Sequence, residues 1–269
     1  MSTKIHIVGT GIVGYSQITK EVENTIERSD VVLSLNHQDT ALDYVSELAD
    51  TVDLTAEYNE NEERKATYKR VANRVLEEAE KPENERVTFA TYGHPMYFVD
   101  PARIIMHDAP EDIEVEVLPG ISAIDCLYTD IGLDPAKNGL QIFEATDVLV
   151  REFELNPAVP AFLLQIGSIE TSLYSTETST VERFTRIKNY LLNFYGGDHK
   201  IYLLKTSVYP FSDSEQFAFR IDEFDNEQVS NRIDNTHTLY IPPLEQKSVQ
   251  NKELLEQLTS TEHLNEITK

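Results

Sequence analysis

Residues 86–98 read RVTFATYGHPMYF, and the organisation of the chain follows from them. Residues 86–91 carry β-branched and aromatic side chains without a breaker, over the usual strand length of ~5–6 residues. They run straight into Tyr92-Gly93-His94-Pro95, where Gly93 frees the backbone and Pro95 stiffens the exit. Ligands of open α/β sheets sit just outside the carboxyl ends of the strands. Tyr92 and His94 therefore stand where a ligand is expected, although an ordinary strand-end turn with a half-buried tyrosine gives the same pattern.

Upstream, residues 4–8 form a short apolar strand, followed by Gly9-Thr10-Gly11-Ile12-Val13-Gly14, a formal G-x-G-x-x-G. A dinucleotide site also needs an acid at the end of the second strand to hold the ribose. That strand, residues 31–35, ends in Ser34-Leu35-Asn36-His37-Gln38, and Asp39 comes too late. The glycines, Gly11 among them, are read instead as letting the chain turn close to a ligand that is not a pyrophosphate.

Helical spacing at Ile18, Val22 and Ile26, and again at Ala41, Tyr44, Val45 and Leu48, fills the gaps between strands. A third short strand is expected at 51–54, a helix over 57–80, a short helix at 100–106 and a half-exposed strand at 113–117. Alternating strands and helices imply a doubly wound α/β domain with a mostly parallel sheet over residues 1–118. Leu118-Pro119-Gly120 breaks the pattern. Residues 119–247 read as a mixed α+β domain: a helix at 121–131, strands at 140–144, 161–166, 200–205, 216–221 and 238–241, and one long amphipathic helix at 181–194. Residues 248–269 form a polar tail, helical at most.

A chain of 269 residues can bury a core without staples. Cys126 is the sole cysteine, so no intrachain disulfide is possible, which suits a reducing cytoplasm. The seven histidines include no His-x3-His pair, and no zinc site is expected. The first residues lack an apolar run long enough for a signal peptide or membrane helix. A net charge of −24 would repel nucleic acid and anionic membrane. The acids are scattered, so the charge reads first as a solvated surface, with a basic partner or a salty interior as alternatives.

Asn59-Glu60-Asn61-Glu62 reads as a helix start, with Asn59 as cap and Glu62 reaching back. The helix should bury Tyr68, Val71, Ala72, Val75 and Ala79, and Arg64 precedes Tyr68 on the same face. Either Arg64 snorkels to solvent, or it serves chemistry. A guanidinium beside a tyrosine, whose free pKa is ~10, stabilises the phenolate and lowers that value. Tyr58, Arg64, Tyr68 and Tyr92 could thus converge to deprotonate a very weak acid such as a backbone amide, or to stabilise its oxyanion.

GTGIVG, YGHPMYFV, LPGISAIDCLYTDIGLDPAKNG and FEATDVLV together resemble the tetrapyrrole-methylase superfamily, and within it the borosin-type peptide α-N-methyltransferases. The likeness runs over residues 4–247. It implies S-adenosylmethionine (SAM) as methyl donor, with S-adenosylhomocysteine as product, bound between two domains, and it implies a homodimer. The family's tyrosine ahead of R-x-x-x-Y, plus the tyrosine of YGHP, falls on Tyr58, Arg64, Tyr68 and Tyr92. Its donor contacts fall on Tyr92, His94, Tyr97, Ser122, Ala123, Gln165, Ser207, His237 and Thr238. Met96 replaces the glycine expected after GHP.

Fused borosin enzymes carry their substrate as a C-terminal extension. The stretch SVQNKELLEQLTSTEHLNEITK is polar and has no apolar core segment, so a split arrangement is expected, with the precursor peptide on a separate chain. Two other readings remain open at this point: a corrin or porphyrin ring methylase, and a catalytically silent SAM-binding scaffold. The former would need basic clamps for a planar acid, in which the chain is poor.

Overall fold

The computed structural model of the chain describes residues 3–269 apart from 178 and 246. The first sheet takes β1 (Lys4–Gly9), β2 (Val31–Leu35), β3 (Thr51–Asp53), β4 (Arg86–Thr91) and β5 (Glu114–Leu118). Its order is β3-β2-β4-β1-β5 and every pairing is parallel, as the sequence implied. Covering helices are α1 (Lys20–Ile26), α2 (Asp39–Leu48), α3 (Arg64–Ala79) and α4 (Asp100–Asp108). All of β2, and all of β4 beyond Arg86, is buried, because parallel strands are covered on both faces and must be apolar on both.

The second half of the chain brings α5 (Ala123–Ile131), α6 (Pro135–Asn138), β6 (Gln141–Glu144), α7 (Ala145–Arg151), β7 (Ala161–Leu164), α8 (Thr185–Leu191), β8 (Lys200–Lys205), β9 (Glu215–Arg220), α9 (Glu227–Ser230) and β10 (Thr238–Ile241). The second sheet has the order β6-β7-β10-β8-β9, with β6–β7 parallel and the remaining pairs antiparallel. Its two faces bury separate clusters. Leu163, Leu203 and Leu239 pack with Ile187 and Leu191, while Phe162, Leu164 and Leu204 pack with Ile124 and Leu127 of α5. Finally, α10 (Lys252–Gln257) and α11 (Thr261–Ile267) bury no side chain. Among the described residues, no helix is long and apolar enough to cross a membrane.

Several elements differ from the sequence expectation. The 57–80 helix starts only at Arg64, and Asn59 is not its cap. Backbone pairing of residues 61–64 with 172–174 keeps the stretch out of the helix instead, with a turn at residues 60–61 where Asn61 adopts φ 62°. Glu62 turns its carboxylate to Arg70 and Thr67. Thr67 is buried where Tyr68 was expected, and Tyr68 is half-buried. Strand β7 stops at Leu164 because Gln165 turns left-handed at φ 57°. The 181–194 helix splits into a 3-10 turn at Val181–Phe184 followed by α8.

Candidate active site

Three loops leave the carboxyl ends of β1, β4 and β5 and meet through bare backbone. Gly93 N donates to Gly11 O at 2.9 Å, and Gly11 N to Gly93 O at 3.3 Å. A Cβ on Gly120 would lie 2.3 Å from Gly93 O and 2.7 Å from Gly9 Cα. One on Gly9 would lie 2.4 Å from Gly93 O. Glycine is required here by close approach of main chains, and at Gly11 also by φ +79°.

The amides of the G-x-G-x-x-G loop are already spent. Gln17 Oε1 accepts from Ile12 N at 2.7 Å and Val13 N at 3.1 Å. Gln38 Oε1 accepts from Gly14 N at 3.0 Å, while Gln38 Nε2 donates to Ile12 O at 2.6 Å. Asn36 donates to Thr10 Oγ1 at 2.8 Å, which donates on to Thr91 O at 3.1 Å. The loop passes into a 3-10 turn at Gly14, and α1 begins only at Lys20. A pyrophosphate needs free amides at a helix start. The side chains at the end of β2, where a dinucleotide site would place an acid, instead brace the glycine loop. Thermal shift checks this. SAM or S-adenosylhomocysteine at about 100 times its Kd should raise Tm by roughly 5–10 °C, while NAD and NADP should leave it unchanged. A shift with NAD alone would refute the reading.

Gln165, Thr238 and His237 gather at one end of the second sheet. Thr238 pairs with Leu204 at the carboxyl end of β8, and Leu239 with Leu163. Gly167 presses so closely on the Asp234–Asn235 backbone that a Cβ there would sit 2.1 Å from Asp234 O. His237 is buried, with Nδ1 accepting from Asp234 N at 3.2 Å. A non-glycine residue held at positive φ, as Gln165 is, stores strain that a ligand contact would explain. Ser207 is spent locally, its hydroxyl bonded to Tyr209 and Ser212. Ser122 caps α5 through a reciprocal pair with Asp125, which commits its hydroxyl, and Ala123 opens the helix. His94 closes its own turn, with Nδ1 accepting from Met96 N at 3.1 Å, so a neutral ring carries its proton on Nε2.

The two ends touch. Gln17 Nε2 reaches Cys126 Sγ at 3.5 Å, and the Thr206 hydroxyl lies against the same thiol. Tyr97 packs on the cluster of Ile124, Leu127, Phe162 and Leu204. Burial pushes the Tyr92 and Tyr97 phenols up to about 12.

Tyr58, Arg64 and Tyr68 form a second group, joined by Tyr174. The Tyr58 and Tyr174 ring centroids are 4.9 Å apart, and His37 meets the Tyr58 edge at 5.6 Å. Arg64 Nη2 donates to Thr171 O, and no carboxylate pairs with Arg64 among the described residues. Burial holds the Tyr58 and Tyr68 phenols above their ordinary value, and the Arg64 charge only partly opposes it. The expected lowering of a tyrosine pKa by Arg64 is therefore corrected: desolvation outweighs the guanidinium, and both hydroxyls rest protonated. Tyr92 stands apart from this group. The titratable neighbour within its reach is the Cys126 thiol, itself pushed up by burial, and not Arg64.

Residues 4–204 match the family described as Tetrapyrrole (Corrin/Porphyrin) Methylases. The chain belongs to that family. A uroporphyrin-III C-methyltransferase of Thermus thermophilus, 15% identical and aligned with TM-score 0.57 over 89% of this chain and 97% of that one, is complexed with S-adenosylhomocysteine. Among curated proteins the chain is 32% identical over 243 residues to a methyltransferase/ribosomally synthesized cyclic peptide gymnopeptides precursor of Gymnopus fusipes, covering 90% of this chain and 57% of that protein. It is 32% identical over 247 residues to a type I borosin cyclic peptide precursor methyltransferase of Serendipita vermifera, covering 90% and 59%. The chain thus spans a little over half the length of these relatives. Among solved structures, the uroporphyrin-III-C-methyltransferase of Thermus thermophilus aligns with TM-score 0.60 at 17% identity over 90% of this chain and 93% of that one. A diphthine synthase aligns with TM-score 0.62 at 12% identity over 99% and 100%. These last two are likenesses of fold.

The donor of a tetrapyrrole methylase carries no phosphate, so a glycine loop whose amides are already bonded fits it. Sequence reasoning missed Gln17, Asn36, Gln38, Cys126, Thr206 and Tyr174. The polar Asn36-x-Gln38 at a strand end was a usable signal. Tyr174 offered none, since it sits in an irregular loop and reaches Tyr58 only through tertiary pairing.

Proposed function

We propose that this tetrapyrrole-family methyltransferase methylates backbone amide nitrogens of a peptide. The observation that carries the reading is Arg64, a guanidinium without a carboxylate partner among the described residues, whose charge acts on the phenols of both Tyr58 and Tyr68. Amide nitrogen is a poor nucleophile because its lone pair is delocalised into the carbonyl. Methylation needs proton loss or imidate character in the transition state. Arg64 holds the carbonyl oxygen as negative charge develops there, in a site where burial excludes water. Tyr58 and Tyr68 orient the amide, and one of them, having first lost its own proton to solvent, accepts the amide proton as the methyl arrives. SAM, when bound, supplies an electrophilic methyl on a sulfonium. His94, Tyr97, Gln165, His237 and Thr238, with the backbone at Gly11 and Ala123, hold that donor. Ser122 and Ser207 shape its walls rather than bond it through hydroxyls already in use. The relatives, whose names join a methyltransferase to a cyclic peptide precursor, support a peptide over a tetrapyrrole.

In this proposal the methylated amides are not those of residues 248–269, which form polar helices without an apolar core segment. Intact-mass spectrometry of the chain with SAM alone should show no series of methyl additions. Adding an apolar peptide fused to a candidate leader should yield N-methylated peptide. A methyl ladder on residues 248–269 would show that these residues do serve as substrate, and methylation of carbon or of side chains only would refute the amide reading.

A further inference from the structure

The chain after β7 makes a loop whose neck is tied by one side chain. Arg183, in the 3-10 turn before α8, donates Nε to Ile169 O at 2.8 Å and Nη1 to Ser179 Oγ at 2.7 Å. Ile169 and Ser179 are the two feet of this loop. Its outer part grips the segment that bears Tyr58 and Arg64. Asn61 N donates to Tyr174 O at 2.9 Å, Tyr174 N to Glu62 O at 2.8 Å, and Arg64 N to Ser172 O at 2.9 Å. Thr171 O takes the Arg64 side chain, and the Tyr174 ring packs against Tyr58 at a tilt of 49°. At the near foot Glu170 is held at φ 65°, with its carboxylate paired to Arg186.

Arg183 is half-buried and has no carboxylate in salt-bridge contact among the described residues. Its nearest opposite charge is Glu170, and burial together with the like charge of Arg64 works against its own. An arginine kept there against desolvation and repulsion spends its planar fork on a carbonyl and a hydroxyl. That use is geometric.

We propose that Arg183 is a positioning residue for methyl transfer: by closing the neck of the loop it fixes Thr171 O and the Tyr174 ring, and through them Arg64 and Tyr58. The role rests on the amide-methylation reading above, but Arg183 itself touches neither donor nor peptide. Displacing a catalytic group by about 1 Å can cost ~10² in rate. The enzyme is tested as full-length chain with SAM and the peptide substrate. Arg183→Met should lower single-turnover kcat by roughly 10–100-fold with SAM affinity kept, and should speed amide hydrogen exchange at Asn61, Arg64 and Tyr174. Arg183→Lys keeps the charge without the fork and should recover little. In the Arg64→Ala background, Arg183→Met should cost clearly less than it does alone, since part of its effect passes through Arg64. Full recovery by lysine, additive losses in the double variant, or unchanged exchange with an unchanged rate would each overturn the role. Were the wild-type chain to methylate no amide, the parent reading would fall, and this role with it.

Discussion

Arg64→Ala should lower the single-turnover rate of amide methylation by about 10²–10³ while leaving SAM affinity near native. The guanidinium is the positive charge that opposes the burial raising both the Tyr58 and Tyr68 phenols. It is also the donor free to meet a developing imidate oxygen. Tyr68→Phe removes only a hydroxyl and should fold normally yet be impaired to a similar degree. Arg64→Lys should not restore the rate, because a point ammonium does not reproduce the planar fork.

The pH dependence has a definite sign. Both phenols sit above their ordinary value in the folded state, so they are protonated at neutral pH. If one must lose its proton before transfer, the rate rises roughly tenfold per pH unit across the neutral range, and in Arg64→Ala the rise moves to higher pH. A flat profile would assign the phenols to hydrogen bonding alone. Near-native rates in both Arg64→Ala and Tyr68→Phe would make these residues structural and the proposed mechanism wrong.

The second large effect is expected from one methyl group. In Gly120→Ala the new Cβ would fall 2.3 Å from Gly93 O and 2.7 Å from Gly9 Cα. These are main-chain atoms of two other loops, which cannot rotate away as a side chain would. The loops after β1, β4 and β5 must part. Overpacking of this kind costs about 1–3 kcal/mol, and for a chain of this size Tm falls roughly 2–4 °C per kcal/mol. SAM binding should be lost altogether, since the parted loops carry Gly11, Tyr92, His94 and Ala123. Gly132→Ala is the control. It has φ +64° and nothing within 4 Å of its Cβ, so it suffers backbone strain without a clash. It should lose ~1–2 kcal/mol of stability and keep SAM affinity. Calorimetric titration of both variants decides the matter, and native affinity in Gly120→Ala would show that the three-loop contact does not build the donor site.

The amino-acid sequence by itself determined the parallel first sheet, the mixed second sheet and the segments that bear the site. Parallel strands buried on both faces are continuous apolar runs, and strand-end glycines next to His94-Pro95 mark a loop of fixed shape. Those signals are local and survive in one dimension. The family resemblance, carried by YGHP and PGISA, was equally local. The tertiary structure alone decided where the helix of Arg64 begins, because three backbone hydrogen bonds to residues 172–174 outweigh a capping pattern at Asn59 that local energetics favours. It alone showed that Gln17 and Gln38 fill the amides of the glycine loop, and that Ser122 and Ser207 spend their hydroxyls on their own turns. It also reversed the sign of the tyrosine shifts. A guanidinium four residues away is visible in sequence, but desolvation depends on everything packed around the phenols, and that sum exists only once the chain has folded.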